Sequence, residues 1–227
     1  MALNHSNREY EAELLKLRHD ILEMGGRIEE MIRDAVRSLI ERDSDLARRT
    51  IAADNHVNRL EIDTDELCLR ILARRQPMAS DLRFISIAFK MVTDLERIGD
   101  LAVNVCERAI DLNAQPELKP YEDTQRMADI VREMVSAAIE AFINGDAERA
   151  AAIIERDDEV DELYHTIFRD ILSLMLEDTN VVERGIHIQS TAKFLERIGD
   201  HATNLAEQVI FMAKGRDVRH EGKLPKG

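Results

Sequence analysis

The stretch DLERIGDLAVNVCERAI, residues 94–110, recurs as FLERIGDHATNLAEQVI at residues 194–210. Both copies fit LERIGD-x-A-x-N-x-x-E-x-x-I. The apolar residues of the first copy and the segment before it fall at steps of three and four: Ile85, Ala88, Val92, Leu95, Gly99, Ala102, Cys106 and Ala109. That is one face of a helix. The second copy repeats the face with Ile188, Ala192, Leu195, Gly199, Ala202, Ala206 and Val209. A repeat about 100 residues long is a domain duplication and not a solenoid. The fold follows from what flanks each copy.

Upstream of the first copy lie two more amphipathic segments. Leu14, Leu17, Ile21, Met24, Ile28, Met31 and Ala35 form a heptad seam. Ala53, Val57, Leu60, Leu67 and Ile71 form another, predicted to start at Asp43 or Ser44 and to stop before Pro77. The third segment is predicted to run from after Ser80 to about Asn113. NAQPELKPY, with Pro116 and Pro120, reads as a loop. The pattern then restarts with Met127, Ile130, Met134, Ala137 and Ala141, closes at Asn144 and Gly145, and resumes after the capping residue Asp146. A fifth seam uses Ile153, Val160, Leu163, Ile167, Ile171 and Leu174. The expected fold is all-α: six long helices forming two tandem antiparallel three-helix bundles. The repeats span residues 1–115 and 116–214, and the tail 215–227, which has no apolar face, is expected to be a loose end.

Composition narrows the function. The chain has 227 residues, 33% of them charged, and a formal net charge of −14. That balance argues against nucleic acid and against anionic lipid as the principal partner. Cys68 and Cys106 form no CxxC pair and read as buried thiols of a reducing compartment. MALNHSNREYEAELL lacks the apolar stretch of a signal peptide, and no apolar run is long enough to span a bilayer. A cytosolic protein is expected.

The motif itself carries two separable features. Gly99 and Gly199 lie on the buried seam, where a glycine costs about 1 kcal/mol relative to alanine. Close approach of a neighbouring helix is the expected compensation. Glu96, Asp100, Glu196 and Asp200 lie on the flank of the seam. Each pair is an i,i+4 couple of like charge, which mildly destabilises a helix. Asn104 extends the first line by one turn. Two carboxylates and an amide oxygen in a row suit a hard cation. The plainer alternative is a solvated face on which Arg97 neutralises Asp100 at i,i+3. One helix cannot close a metal site, so partners must come from the adjacent helix. DNHVNRLE offers Asp54, Asn58 and Glu61; DDEVDELYH offers Asp157, Asp161 and Glu162.

Together these segments resemble the PhoU family, the accessory regulators of bacterial phosphate uptake. The resemblance rests on DLERIGDLAVNVCE and FLERIGDHATNLAE, and on EMGGRIEEMI, DSDLARRTIAADNHVN, RILARRQPMASDLRFI and DDEVDELY, and it covers residues 8–214. It implies tandem three-helix bundles, often dimeric, without enzymatic activity. It implies a link between the cytoplasmic ATPase of the high-affinity phosphate ABC transporter and a phosphate-sensing histidine kinase, with repression of the phosphate-starvation response. That places the chain in the cytoplasm, peripheral to the inner membrane through its partners. It also implies iron or zinc, in multinuclear clusters, held by Glu96, Asp100, Glu196, Asp200, Asp157, Asp161, Asp54 and Asn58. Asn58 stands where the family's motif has a carboxylate, so the first site is expected to be the weaker.

Two rival readings stay open beside it. A di-iron carboxylate enzyme needs two Glu-x-x-His motifs from different helices, and the chain has one, Glu162 to His165. A metal-free structural bundle needs no acid rows. Arg74, Arg75 and Arg83 gather at the turn between the second and third helices, suited to phosphate, to an acidic partner, or to the negative end of the helix. His187 and His201 lie away from the acid rows and are expected at the surface.

Overall fold

The computed structural model describes the backbone of residues 2–215 and the side chains of residues 8–215. The tail from Arg216 onward lies outside the described residues. Among the described residues seven α-helices follow one another: α1 (Ala2–Ile40), α2 (Ser44–Arg75), α3 (Ala79–Asn113), α4 (Glu122–Asn144), α5 (Ala147–Glu155), α6 (Asp157–Glu177) and α7 (Val182–Lys214). A short 3-10 turn, Thr179–Val181, joins the last two. The expected fifth helix is thus interrupted at Arg156. The sequence ERDDEVDE crowds six acids around that point. Like charges weaken a continuous helix there, whereas acids in the first turn of a new one are favoured by its dipole.

Capping residues fix the remaining boundaries. Asp43 accepts a hydrogen bond from the Leu46 amide at 2.8 Å. Asp146 accepts from the amides of Glu148 and Arg149. Each satisfies donors that a helix start leaves unpaired. The two repeats are in strict register here, 103 residues apart. The amide of Asp43 bonds the carbonyl of Ser38 and that of Asp146 the carbonyl of Ala141, both at 2.9 Å. The residue between each pair is left-handed: Gly145 at φ 65 and Arg42 at φ 56. Glycine takes this conformation freely, whereas arginine pays a steric penalty. Arg42 is held by other means. Its Nη2 donates to the carbonyls of Asn113, at 2.8 Å, and of Gln115, closing the C-terminal end of α3.

Most seam residues named above are buried, with Ala53 an exception that lies exposed. The core is wider than one seam per helix. α3 and α7 also bury Met91, Ile98, Leu101, Val105, Ile198 and Leu205. These face away from each helix's own bundle, because α3 packs along α7 and α1 packs along α4. The two bundles therefore share one continuous apolar core. Phe84 of α3 stacks on Phe142 of α4 across the junction, with centroids 4.9 Å apart and an interplanar angle of 13°.

The histidines expected at the surface belong to this junction. His201 Nδ1 stands 2.9 Å from Asp94 Oδ1, and Gln208 Nε2 donates to Asp94 Oδ2 at 2.7 Å. His187 lies beside Arg108 and 3.7 Å from Asp111. Both imidazoles are part-buried between α3 and α7. Cys68 and Cys106 are buried free thiols, and burial pushes each thiol up to about 12. Unreactive thiols of this kind agree with a packing role.

Candidate metal centre

α2 lies antiparallel to α3 and α6 to α7, so each acid row on the LERIGD helix faces a row on its neighbour. The glycines make this possible at side-chain level. A Cβ on Gly99 would stand 3.2 Å from Asp54 Oδ1 and 3.5 Å from Val57 Cγ1. A Cβ on Gly199 would stand 3.3 Å from both Asp157 Oδ1 and Val160 Cγ1. The space left by each missing side chain is occupied by a carboxylate and a valine methyl. Glycine and acids are parts of one arrangement, in which the seam glycine seats the facing carboxylate next to the acid row.

Electrostatics report how close the groups come. Burial holds the Asp54 carboxyl above its ordinary value, and the charge of Asp100 adds to this. Burial also raises Glu96, with Asp100 and Asp54 contributing. Glu61 is raised by burial and then by Glu96. In the second repeat the effect is larger. Asp157 is pushed up to about 6 by burial, then by Asp200, Asp161 and Glu196. Each row thus joins acids from two helices that repel one another, which is the arrangement a cation relieves.

The two rows are not equivalent. Asn58 Nδ2 donates to Asp54 Oδ2 at 2.8 Å, whereas the matching Asp161 adds a second negative charge beside Asp157. The amide offsets in the first repeat what the carboxylate aggravates in the second. Arg97 stands 3.2 Å from Asp100 and 3.5 Å from Glu96, so the neutralising contact considered above is present in the first row. In the second, Lys193 reaches Glu196 at 2.6 Å. Glu96 and Glu196 are largely covered while Asp100 stays open to solvent. Asn104 is half-buried and Asn204 exposed. Asp65 was not singled out in the sequence, yet it continues the α2 row one turn beyond Glu61 and is raised by burial. Its counterpart 103 residues on is Phe168, so only the first row extends this far. The i,i+4 spacing from Glu61 was the signal available.

Among the described residues, no three His, Cys, Asp or Glu side chains already converge on a common point in ligating geometry. The donors nonetheless suit a hard cation. Asp54 Oδ1 and Asn58 Oδ1 are buried without a hydrogen-bond partner, and such orphaned oxygens are costly unless something polar meets them. Gly199→Ala tests the seating role. The new methyl would press on Asp157, while alanine raises helix propensity by about 1 kcal/mol. We expect unfolding free energy to change by less than about 1 kcal/mol and affinity for iron or zinc to fall several-fold, measured by urea denaturation and metal titration on the same preparation.

The basic turn is partly spoken for. Arg75 bonds Glu13 at 2.9 Å and Glu9 at 3.2 Å, pinning α2 to α1, while Arg74 and Arg83 are exposed. No helix among the described residues is long and apolar enough to cross a membrane.

Fold and site define a duplicated helical-bundle protein with one bipartite acid row per repeat. A sequence description of the PhoU domain matches twice, at residues 21–109 and 124–209, and the chain belongs to the PhoU family. It is 43% identical over 220 residues to the phosphate-specific transport system accessory protein PhoU homolog of Pseudomonas putida, covering 96% of this chain and 86% of that one. It is 35% identical over 218 residues to the phosphate-specific transport system accessory protein PhoU of Escherichia coli (strain K12), covering 96% and 90%. The crystal structure of PhoU from Pseudomonas aeruginosa superposes with a TM-score of 0.88 at 43% identity, covering 91% of this chain and all of that one.

Proposed function

We propose that this chain is a non-enzymatic regulator of phosphate homeostasis. It links the cytoplasmic ATPase of the phosphate ABC transporter to a phosphate-sensing histidine kinase and represses uptake and the starvation response when phosphate is plentiful. The observation that carries this reading is the match along 96% of the chain to accessory proteins of the phosphate-specific transport system. The protein acts in the cytoplasm, as a homodimer, and reaches the inner membrane through its partners. Pulldown from phosphate-replete cytosol should recover the ATPase or the kinase; recovery of neither would sink the proposal.

The acid rows hold iron or zinc in this reading. Glu96, Asp100, Asp54 and Asn58 serve the first repeat, and Glu196, Asp200, Asp157 and Asp161 the second. Repulsion between facing rows and the orphaned oxygens of Asp54 and Asn58 support it. Bound metal supplies positive charge that draws α2 to α3 and α6 to α7. Metal analysis of protein purified anaerobically without chelator, with an anomalous-scattering scan for iron and zinc, tests it. Absence of metal, with Glu96→Ala plus Glu196→Ala leaving regulation intact, would favour a purely structural bundle.

A further inference from the structure

α1 and α4 cross antiparallel between the two repeats, and a cleft of about 240 Å³ opens between them. Arg33 and Arg37 line it from α1 and Arg132 from α4. On a chain of net charge −14, three guanidinium groups around one concavity stand out. The lining carboxylates, Glu41 and Asp129, do not consume them. Arg37 engages Glu41 through Nε at 3.0 Å, and Arg33 engages Asp34 through Nε at 2.9 Å. Arg132 Nη2 stands 3.7 Å from Asp129 Oδ1, too far for a hydrogen bond. Among the described residues nothing engages the paired terminal nitrogens of Arg33 and Arg37, the atoms that grip an oxyanion in a two-pronged fashion.

The duplication supplies an internal control. The register of 103 residues maps this cleft onto a second crossing of the same two helices. There Arg33 corresponds to Ser136, Arg37 to Glu140 and Arg132 to Glu29. The twin positions thus carry two acids and no base. The packing differs as well. Gly25 and Ile139 occupy the twin of the Ala128 and Val36 pair, and a Cβ on Gly25 would lie 2.3 Å from Ile139 Cδ1. At the twin crossing the isoleucine side chain reaches over the bare glycine, whereas the lined cleft opens beside Ala128 and Val36. The three arginines thus belong to one crossing and not to its twin, although the duplication builds both from the same two helices.

We propose that this cleft binds a small, multiply charged oxyanion of the phosphate class, held between the repeats by Arg33, Arg37 and Arg132. Its volume falls below the roughly 300–1,000 Å³ of pockets for drug-sized ligands, which suits a small ion or the phosphate tail of a larger molecule. The site lies on the α1–α4 side of the fold, built from none of the acid-row residues, and does not depend on the metal reading.

The test is calorimetric titration of the full chain, stripped of metal with chelator so that no phosphate is carried by a metal ion. Orthophosphate and ATP are the two probes. Saturable binding of either is expected, with orthophosphate the tighter if the ligand is the free ion and ATP the tighter if it is a nucleotide's phosphate tail. The variant Arg33→Ser/Arg37→Glu/Arg132→Glu, which installs the twin crossing's residues, should weaken binding at least tenfold with an unchanged helical circular dichroism spectrum. Arg37→Lys keeps the charge but loses the planar fork, and should weaken binding several-fold. Raising salt from 50 to 200 mM should weaken it as well. Failure of both probes to bind the parent chain, or equal binding by parent and triple variant, would overturn the proposal.

Discussion

Replacing Phe142 by alanine is expected to lower the unfolding free energy by about 3–5 kcal/mol. Phe142 is fully buried and stacks on Phe84, so one ring from each repeat meets at the junction. Offset-stacked pairs contribute about 0.5–1.5 kcal/mol beyond the area they bury. Arg18 lies over the Phe84 ring, 4.9 Å from its centroid. The counterpart of Phe142 in the first repeat is Leu39, also fully buried. Leu39→Ala creates a smaller void, and a loss of about 2–5 kcal/mol is expected there. Urea denaturation followed by far-ultraviolet circular dichroism measures both. Because the core is continuous, the parent should unfold in one transition, and Phe142→Ala should lower its midpoint without splitting it. A loss below about 1 kcal/mol would mean that the junction relaxes into the cavity and the ring stack is incidental.

What could be read in advance was local. Heptad seams name the face of a helix that is buried, and Asp43, Asp146 and Gly145 mark ends through chemistry confined to a few residues. What escaped reading depends on partners distant in sequence. Ile98 and Leu101 are apolar and visible, but only the packing of α3 on α7 explains why two sides of that helix are covered. Asp94 and His201 look like surface residues on a wheel drawn for an isolated bundle. They meet because the bundles fuse, and their counterparts in the other copy, Phe194 and Leu101, are apolar. The interruption at Arg156 lies between Ile153 and Val160, which stay seven residues apart and therefore in phase, so periodicity could not mark it. The candidate site divides in the same way. The acid rows were legible as spacing on single helices. That Gly99 and Gly199 seat Asp54 and Asp157 was not, since it requires the register between two helices.

That register leads to the second large effect, which has opposite signs in the two properties measured. In the metal-stripped protein, Asp157→Asn is expected to stabilise the fold at neutral pH. Asp157 is pushed from 3.8 to about 6 by burial and by Asp200, Asp161 and Glu196. The native state therefore binds its proton more tightly than the unfolded chain does. Stability is lost as pH rises from about 4 to about 6, because folding then confines a charge among like charges. Asparagine carries no charge in either state, so the variant should lack this fall. The gain at pH 7 should be about 1 kcal/mol, less than the full shift implies, because solvent screens a half-open carboxylate. Below pH about 4 parent and variant should converge. Affinity for iron or zinc should move the other way, falling at least tenfold when an anionic oxygen ligand becomes a neutral amide. Asp54→Asn should show both effects in smaller measure, since Asn58 already offsets the charge of Asp54. A carboxylate that weakens the empty fold and strengthens the loaded one is placed for its ligand. If Asp157→Asn instead lowered stability at pH 7 and left metal uptake unchanged, the row in the second repeat would be structural.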